Sequence, residues 1–144
     1  DFGCGGCREQ IKIFDELLSK YPTQVKIIWK SLDVTKFPYS SELAHSYGYC
    51  ANGQNKFAEF KNNLLNLENI NEDSLKISAT QTALDKNLLA VCLQSEELKN
   101  YKAKNHQLAV MFGIQDVPTI FIDNKSIQEP LTLEGWESLL SLPQ

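Results

Sequence analysis

The residues of this chain best suited to chemistry are its four cysteines. Cys4 and Cys7 flank two glycines and form a C-x-x-C motif, while Cys50 and Cys92 stand alone in the sequence. A C-x-x-C pair is a redox dithiol, half of a zinc site or a chance pair. A zinc site needs a second close pair of cysteines or histidines, and the spacing of the remaining ones supplies none. The pattern therefore favours redox chemistry.

An amphipathic helix is predicted directly after this motif. Pro22 ends a pattern in which apolar residues recur every three or four positions, at Ile11, Phe14, Leu17, Leu18 and Tyr21. The motif therefore lies at the N-terminal end of the helix, with Cys4 near the cap and Cys7 in the first turn. Unpaired N–H groups and the helix dipole favour a thiolate there. We expect Cys4 to be the exposed nucleophile and Cys7 to resolve mixed disulfides.

Three segments of the chain are predicted to be strands. Residues 25–34 are rich in β-branched and aromatic side chains and follow the first helix, as a parallel crossover requires. Residues 117–123 form a second apolar run that Pro118 opens, followed by a turn and a short partner strand over 126–128. Thr132 is predicted to cap a final helix.

The segment between these strands is predicted to be helical from about residue 40 to residue 112. One helix ends before Gly48 and a second follows it over about residues 50–67. Ser95 is predicted to cap a later helix whose buried stripe includes Phe112. The two histidines fall in helical segments, and we expect them to be surface or capping residues.

Composition excludes two classes of function. The chain has 144 residues, enough for one domain, a net charge of −4 and a single arginine. Phosphate binding needs clustered lysine and arginine, so a nucleic-acid partner is not expected. The longest apolar run, residues 88–93, is far shorter than the roughly 20 residues of a membrane span.

The motifs together resemble the DsbA-like branch of the thioredoxin superfamily. The resemblance rests on Asp1-Phe2-x-Cys4-x-x-Cys7, on the segment from Tyr49 to Phe57, on Cys92-Leu93 and on residues 112–122 with their Val-Pro-Thr. It implies an α/β, thioredoxin-like fold in a single domain over 1–144, with a helical insertion at about 40–112. It also implies that the Val117–Pro118 bond is cis and lies beside the dithiol, where the backbone of Val117 binds a substrate strand.

The chain departs from that family in two respects. The Gly-Gly spacer between the cysteines differs from that of better-known members, so the redox potential cannot be transferred from them. The family also has a hydrophobic strand directly before the motif, and this first central strand is absent before Asp1. We expect residues before Asp1, or another chain, to supply that strand, because a gap in the sheet leaves ladder groups unpaired.

The resemblance implies an extracytoplasmic thiol:disulfide oxidoreductase, which we expect to be an oxidase that introduces disulfides into folding proteins through Cys4 and Cys7. A reductase or isomerase of the same fold and a non-catalytic binding module remain alternatives. The expected partners are thiol-containing protein substrates and a membrane quinone-linked oxidase, and no cofactor or metal is expected. The expected location is the periplasm, the cell envelope or the exterior, and an N-terminal segment before Asp1 could serve as a membrane anchor.

Cys50 and Cys92 are predicted to form a second, structural disulfide within the helical insertion. Neither has a nearby cysteine with which to make a redox pair, and an oxidising compartment tends to bridge two leftover thiols. A loop of about 42 residues closed in this way stabilises the fold by roughly 4 kcal/mol in the chain-entropy description.

Overall fold

The computed structural model of the chain describes residues 1–36 and 39–143. Within these residues the backbone forms seven α-helices and one two-stranded antiparallel sheet. In chain order they are α1 (Gly5–Lys20), α2 (Glu42–Gly53), α3 (Phe57–Leu65), α4 (Glu72–Gln81), α5 (Lys86–Leu93), α6 (Glu96–Met111), β1 (Ile120–Ile122), β2 (Lys125–Ile127) and α7 (Leu133–Leu139).

Helix α1 confirms the prediction of an amphipathic helix that begins at the cysteine motif. Cys4 is its N-cap, and Tyr21 ends it one residue before Pro22. Its apolar face packs against α7, where the rings of Phe14 and Trp136 meet edge to face at 5.2 Å. Trp136 and Leu17 are buried in this contact. The helix that carries the motif is therefore fixed from behind by the C-terminal part of the chain.

Helices α2 to α6 enclose the larger hydrophobic core. Its centre consists of fully buried side chains from α3 and α4, among them Phe60, Leu64 and Leu75. A disulfide bond between Cys50 of α2 and Cys92 of α5 joins two of these helices, with their Cα atoms 5.8 Å apart. The α/β, thioredoxin-like class holds for the chain, although most of the described residues are helical.

The predicted helix boundary at Gly48 is wrong, since α2 runs through this residue to Gly53. A Cβ atom at Gly48 would lie 3.4 Å from the ring of Phe2, at van der Waals distance, so the glycine lies in the packed interior of the helix rather than at its end. The chain instead leaves the helix after Gly53, where Asn55 takes a left-handed conformation with φ of 58°. A glycine in an apolar segment indicates a boundary or a close contact, and the sequence does not distinguish them.

The predicted caps of the last two helices are confirmed. The side-chain oxygens of Ser95 and Thr132 accept hydrogen bonds from the first turns of α6 and α7. Phe112, which directly follows α6, differs from the prediction, since it is 54% exposed instead of buried. Its ring lies 5.4 Å from that of Phe121 on β1, and both rings remain partly open to solvent.

The predicted strand over residues 25–34 is wrong as a strand. Val25, Ile27 and Trp29 are half-buried and alternate with exposed residues, as the β pattern requires. No ladder forms there within the described residues, whose only sheet is β1 with β2. Alternation of apolar and polar side chains indicates that one side of a segment is half-buried. A strand also needs a neighbouring strand that pairs with its backbone groups. At the end of this segment, the amides of Val34 and Thr35 donate to the carboxylate of Asp1 instead.

The expectation that a strand precedes Asp1 concerns residues outside this chain and stays a prediction. No helix among the described residues is both long enough and apolar enough to cross a lipid bilayer.

Candidate active site

Cys4 is the accessible sulfur of the dithiol. It is partly exposed and stands at the N-cap of α1, where its Sγ accepts a hydrogen bond from the backbone N–H of Cys7 at 3.2 Å. The same thiol donates to the main-chain oxygen of Val117 at 3.4 Å. An N–H group directed at sulfur stabilises the negative charge that develops on it during disulfide exchange.

Cys7 lies one turn further along the helix and is buried, with 3% of its surface exposed. Burial, reinforced by the hydrogen bond with Cys4, raises the pKa of the Cys7 thiol from 9.0 to about 11. Cys7 therefore remains a neutral thiol at physiological pH when the pair is reduced. The two sulfurs differ in access, so an incoming sulfur reaches Cys4 first.

The loop before β1 brings Val117 and Pro118 to the dithiol, and the peptide bond between them is cis. A Cβ atom at Gly6 would lie 3.6 Å from Cδ of Pro118, whereas a Cβ atom at Gly5 would meet nothing within 4 Å. The second residue of the spacer therefore faces the proline, and the first faces open space. Both glycines are exposed.

The structure thus brings together four of the six residues singled out from the sequence: Cys4, Cys7, Val117 and Pro118. Cys50 and Cys92 are bonded to each other within the helical segment. Among the described residues, no group of three or more histidine, cysteine, aspartate or glutamate side chains is arranged to hold a metal ion.

An open groove borders this loop on the side of β1. Phe112 and Phe121 supply its apolar walls, and Thr119, next to the cis-proline, contributes a polar edge. Asp116 is the acidic residue that lines it. The groove offers an extended chain both apolar contact and the backbone of the loop.

Sequence reasoning missed two residues that support the site. The carboxylate of Asp1 accepts hydrogen bonds from the amides of Gly3, Val34 and Thr35, and its partner on α2 is His45. The expectation that His45 lies at the surface or caps a helix is wrong, since it is 4% exposed. The imidazole is accommodated inside because the Asp1 carboxylate supplies a hydrogen-bond partner there. The small residues next to His45 on α2, Ala44 and Ser46, were the sequence feature that could have indicated its burial.

Arg8 is a third residue whose role the sequence did not reveal. Its guanidinium Nη2 donates to main-chain oxygens where α3 ends, at 2.6 Å for Leu65 and 2.6 Å for Leu67. A longer contact of 3.3 Å reaches Leu64. The last carbonyls of a helix have no partner within it, so an arginine is a favourable donor there. Arg8 thus ties the motif helix to the helical segment directly after Cys7.

The chain matches known proteins over nearly its whole length. The thioredoxin family model covers residues 1–141. A thioredoxin-like oxidoreductase from Silicibacter pomeroyi DSS-3 has a similar fold, with a TM-score of 0.76 over 98% of this chain and 80% of that one, at 18% sequence identity. No curated protein matches the chain. With two free cysteines at the start of α1 and a family match over residues 1–141, the chain belongs to the thioredoxin family of thiol:disulfide oxidoreductases.

Proposed function

We propose that this protein is a DsbA-like oxidase that acts outside the cytoplasm and donates the Cys4–Cys7 disulfide to folding proteins. The observation that carries the proposal is the asymmetry of the pair: Cys4 is accessible beside Val117, while Cys7 is buried with a pKa raised to about 11. This asymmetry determines which sulfur is attacked and which one leaves.

The proposed reaction moves two electrons from a substrate dithiol to the protein. A substrate thiolate attacks Sγ of Cys4, the Cys4–Cys7 bond breaks, and its electron pair goes to the Cys7 sulfur, which takes up a proton. A second substrate thiolate then attacks the substrate sulfur of the mixed disulfide. The substrate leaves with a new disulfide, and Cys4 leaves as a thiolate that the N–H of Cys7 stabilises.

The raised pKa of Cys7 bears on both directions of the exchange. A reductase releases its product by attack of the Cys7 thiolate on the mixed disulfide, and an oxidase forms that mixed disulfide by expelling the same thiolate. A pKa of about 11 therefore slows both steps and does not set the direction of electron flow. The preference for an oxidase rests on the DsbA-like resemblance and on the Cys50–Cys92 disulfide, which supports an oxidising compartment. A reductase or isomerase of the same fold is the alternative, and the reduction potential decides between them.

The substrates proposed are unfolded or partly folded proteins with free thiols. The groove beside the cis-proline loop, with Phe112 and Phe121 on its walls, suits an extended apolar segment. A substrate strand hydrogen-bonded to the backbone of Val117 would hold its sulfur near Cys4. Contacts with backbone and apolar surface tolerate many sequences, as a general oxidase requires.

Reoxidation needs an electron acceptor, and we propose a membrane quinone-linked oxidase in that role. The Cys50–Cys92 disulfide supports a location outside the cytoplasm, because cytosolic thiols are kept reduced. The cell envelope, the periplasm and the exterior all satisfy this condition.

The test is the reduction potential of the Cys4–Cys7 pair, measured by equilibration with glutathione buffers. The superfamily spans about −270 mV for reductants to about −120 mV for strong oxidants. An oxidase requires a value toward the upper end and rapid oxidation of a dithiol peptide. Cys4→Ala should abolish the exchange, and Cys7→Ala should accumulate mixed disulfides. A potential near −270 mV would establish the reductase alternative instead.

A further inference from the structure

The segment that leads into the nucleophile is anchored by one buried carboxylate. The side chain of Asp1 is completely enclosed. Its Oδ1 accepts from the amide of Gly3 at 2.9 Å, and its Oδ2 accepts from the amides of Val34 and Thr35 at 2.9 and 2.7 Å. The main-chain oxygen of Asp1 in turn accepts from the amide of Cys4 at 3.2 Å. Asp1 therefore fixes the turn that carries the reactive sulfur.

His45 holds this carboxylate from the opposite side. It lies on α2, and its Nε2 is 3.1 Å from Oδ1 of Asp1. Because a carboxylate oxygen that accepts from an amide offers only lone pairs, the proton between the two groups belongs to Nε2 of the imidazole. Burial, together with the charges of the N-terminal amino group and Lys36, lowers the pKa of His45 to about 3, while the charge of Asp33 opposes this effect. With its proton on Nε2, the ring donates from this atom in the neutral form as well as in the charged form. The hydrogen bond to Asp1 therefore does not depend on the protonation state of His45.

Packing around the pair leaves the turn little freedom. The ring of Phe2 stacks on the imidazole of His45 at 4.8 Å and on Trp29 at 5.3 Å. A Cβ atom at Gly3 would lie 2.6 Å from the side chain of Thr35. The turn is thus held by a hydrogen bond, a ring stack and a close backbone approach, and His45 takes part in the first two.

We propose that His45 is a positioning residue of the redox site, which acts through Asp1 to set Cys4 between the N–H of Cys7 and the carbonyl of Val117. This inference rests on the proposed redox function. His45 does not contact the reacting sulfur. Its donated hydrogen bond fixes the Asp1 carboxylate, and that carboxylate fixes the turn in which Cys4 is aimed. The helical segment thereby influences the position of the dithiol through the side chain of His45.

Loss of the donor should reduce the reactivity of Cys4. Without the N–H of His45, the enclosed Asp1 carboxylate loses one of four donors, and its turn relaxes away from α1. The Cys7 amide then stabilises the Cys4 thiolate less well. We expect alkylation of reduced protein by iodoacetamide to slow about tenfold, the order expected from one lost hydrogen bond to a charged group.

The test compares three variants of the full chain: His45→Leu, which cannot donate; His45→Gln, whose amide N–H can; and His106→Leu, which removes the exposed histidine of α6. The rate of Cys4 alkylation at pH 7 and the equilibrium constant with glutathione are measured for each, after a thermal melt establishes that the variant is folded. We expect His45→Leu to be about tenfold slower with a shifted equilibrium constant. His45→Gln should recover to within about threefold of the original protein, and His106→Leu should match it.

Two outcomes overturn the proposal: an unchanged rate and equilibrium constant in His45→Leu, or a glutamine variant as slow as the leucine variant. If His45→Leu does not fold, nitrogen-15 NMR of the original protein tests the contact by showing which ring nitrogen of His45 carries the proton. A proton on Nε2 is required, and a neutral ring protonated on Nδ1 alone refutes the contact. If the original protein fails to exchange disulfides with glutathione, the proposed function fails. If the protein exchanges and His45→Leu behaves identically, only this inference fails.

Discussion

Replacement of Arg8 by methionine should destabilise the protein by about 3 kcal/mol. The side chain is the chain's only arginine, and its Nη2 atom donates to the main chain where α3 ends. An Nη2 atom carries two hydrogens, so two of its three contacts are strong, and the two at 2.6 Å are the candidates. A hydrogen bond from a charged donor contributes about 1.5–3 kcal/mol. We count about 1.5 kcal/mol for each of the two short hydrogen bonds. The lower value applies because the carbonyls at this helix end gain partial access to water when the guanidinium is absent.

The assay is urea unfolding of the oxidised protein, followed by circular dichroism. For a chain of this size, 3 kcal/mol corresponds to a melting temperature lowered by roughly 10 °C. The matched control is Lys12→Met on the same helix, which removes an exposed ion pair with Glu9. Such pairs contribute less than about 1 kcal/mol. The reasoning is refuted if Arg8→Met and Lys12→Met lower stability equally, or if Arg8→Met changes it by less than about 1 kcal/mol.

Further changes test other features of the molecule. Because its pKa is raised to about 11, the Cys7 thiol stabilises the reduced protein below pH 9, and this contribution should disappear between pH 9 and 11; a melting temperature that falls no more steeply there than in Cys7→Ala contradicts it. Replacing Cys50 and Cys92 with serine should cost roughly 4 kcal/mol in urea unfolding and leave the dithiol potential unchanged; a shifted potential would mean that the two disulfides are coupled. Gly3→Ala should destabilise the fold by more than about 1 kcal/mol, since its Cβ would lie 2.6 Å from a threonine side chain, whereas Gly5→Ala has open space; equal stabilities would disprove the close approach.

The sequence determined the local features of this protein. The N-terminal position of the dithiol follows from apolar residues at helical spacing after Cys7, and that pattern needs no distant partner. The caps at Ser95 and Thr132 are equally local, because a side-chain oxygen bonds an amide three residues away. The hairpin of β1 and β2 follows from the short apolar run of β1 and from a turn directly after it at Asp123 and Asn124, which take left-handed conformations.

The tertiary structure decided the features that depend on a partner distant in the sequence. His45 is buried because the Asp1 carboxylate lies 3.1 Å away, 44 positions earlier in the chain. Residues 25–34 keep a β pattern without a ladder, because pairing depends on a neighbouring backbone that the side chains do not specify. Gly48 lies inside α2 rather than at its end, and it packs there against the ring of Phe2 from the start of the chain. Helical periodicity and capping involve residues only a few positions apart, so they are visible in the sequence. Burial and strand pairing involve two segments that are distant in the sequence, and only folding brings those segments together.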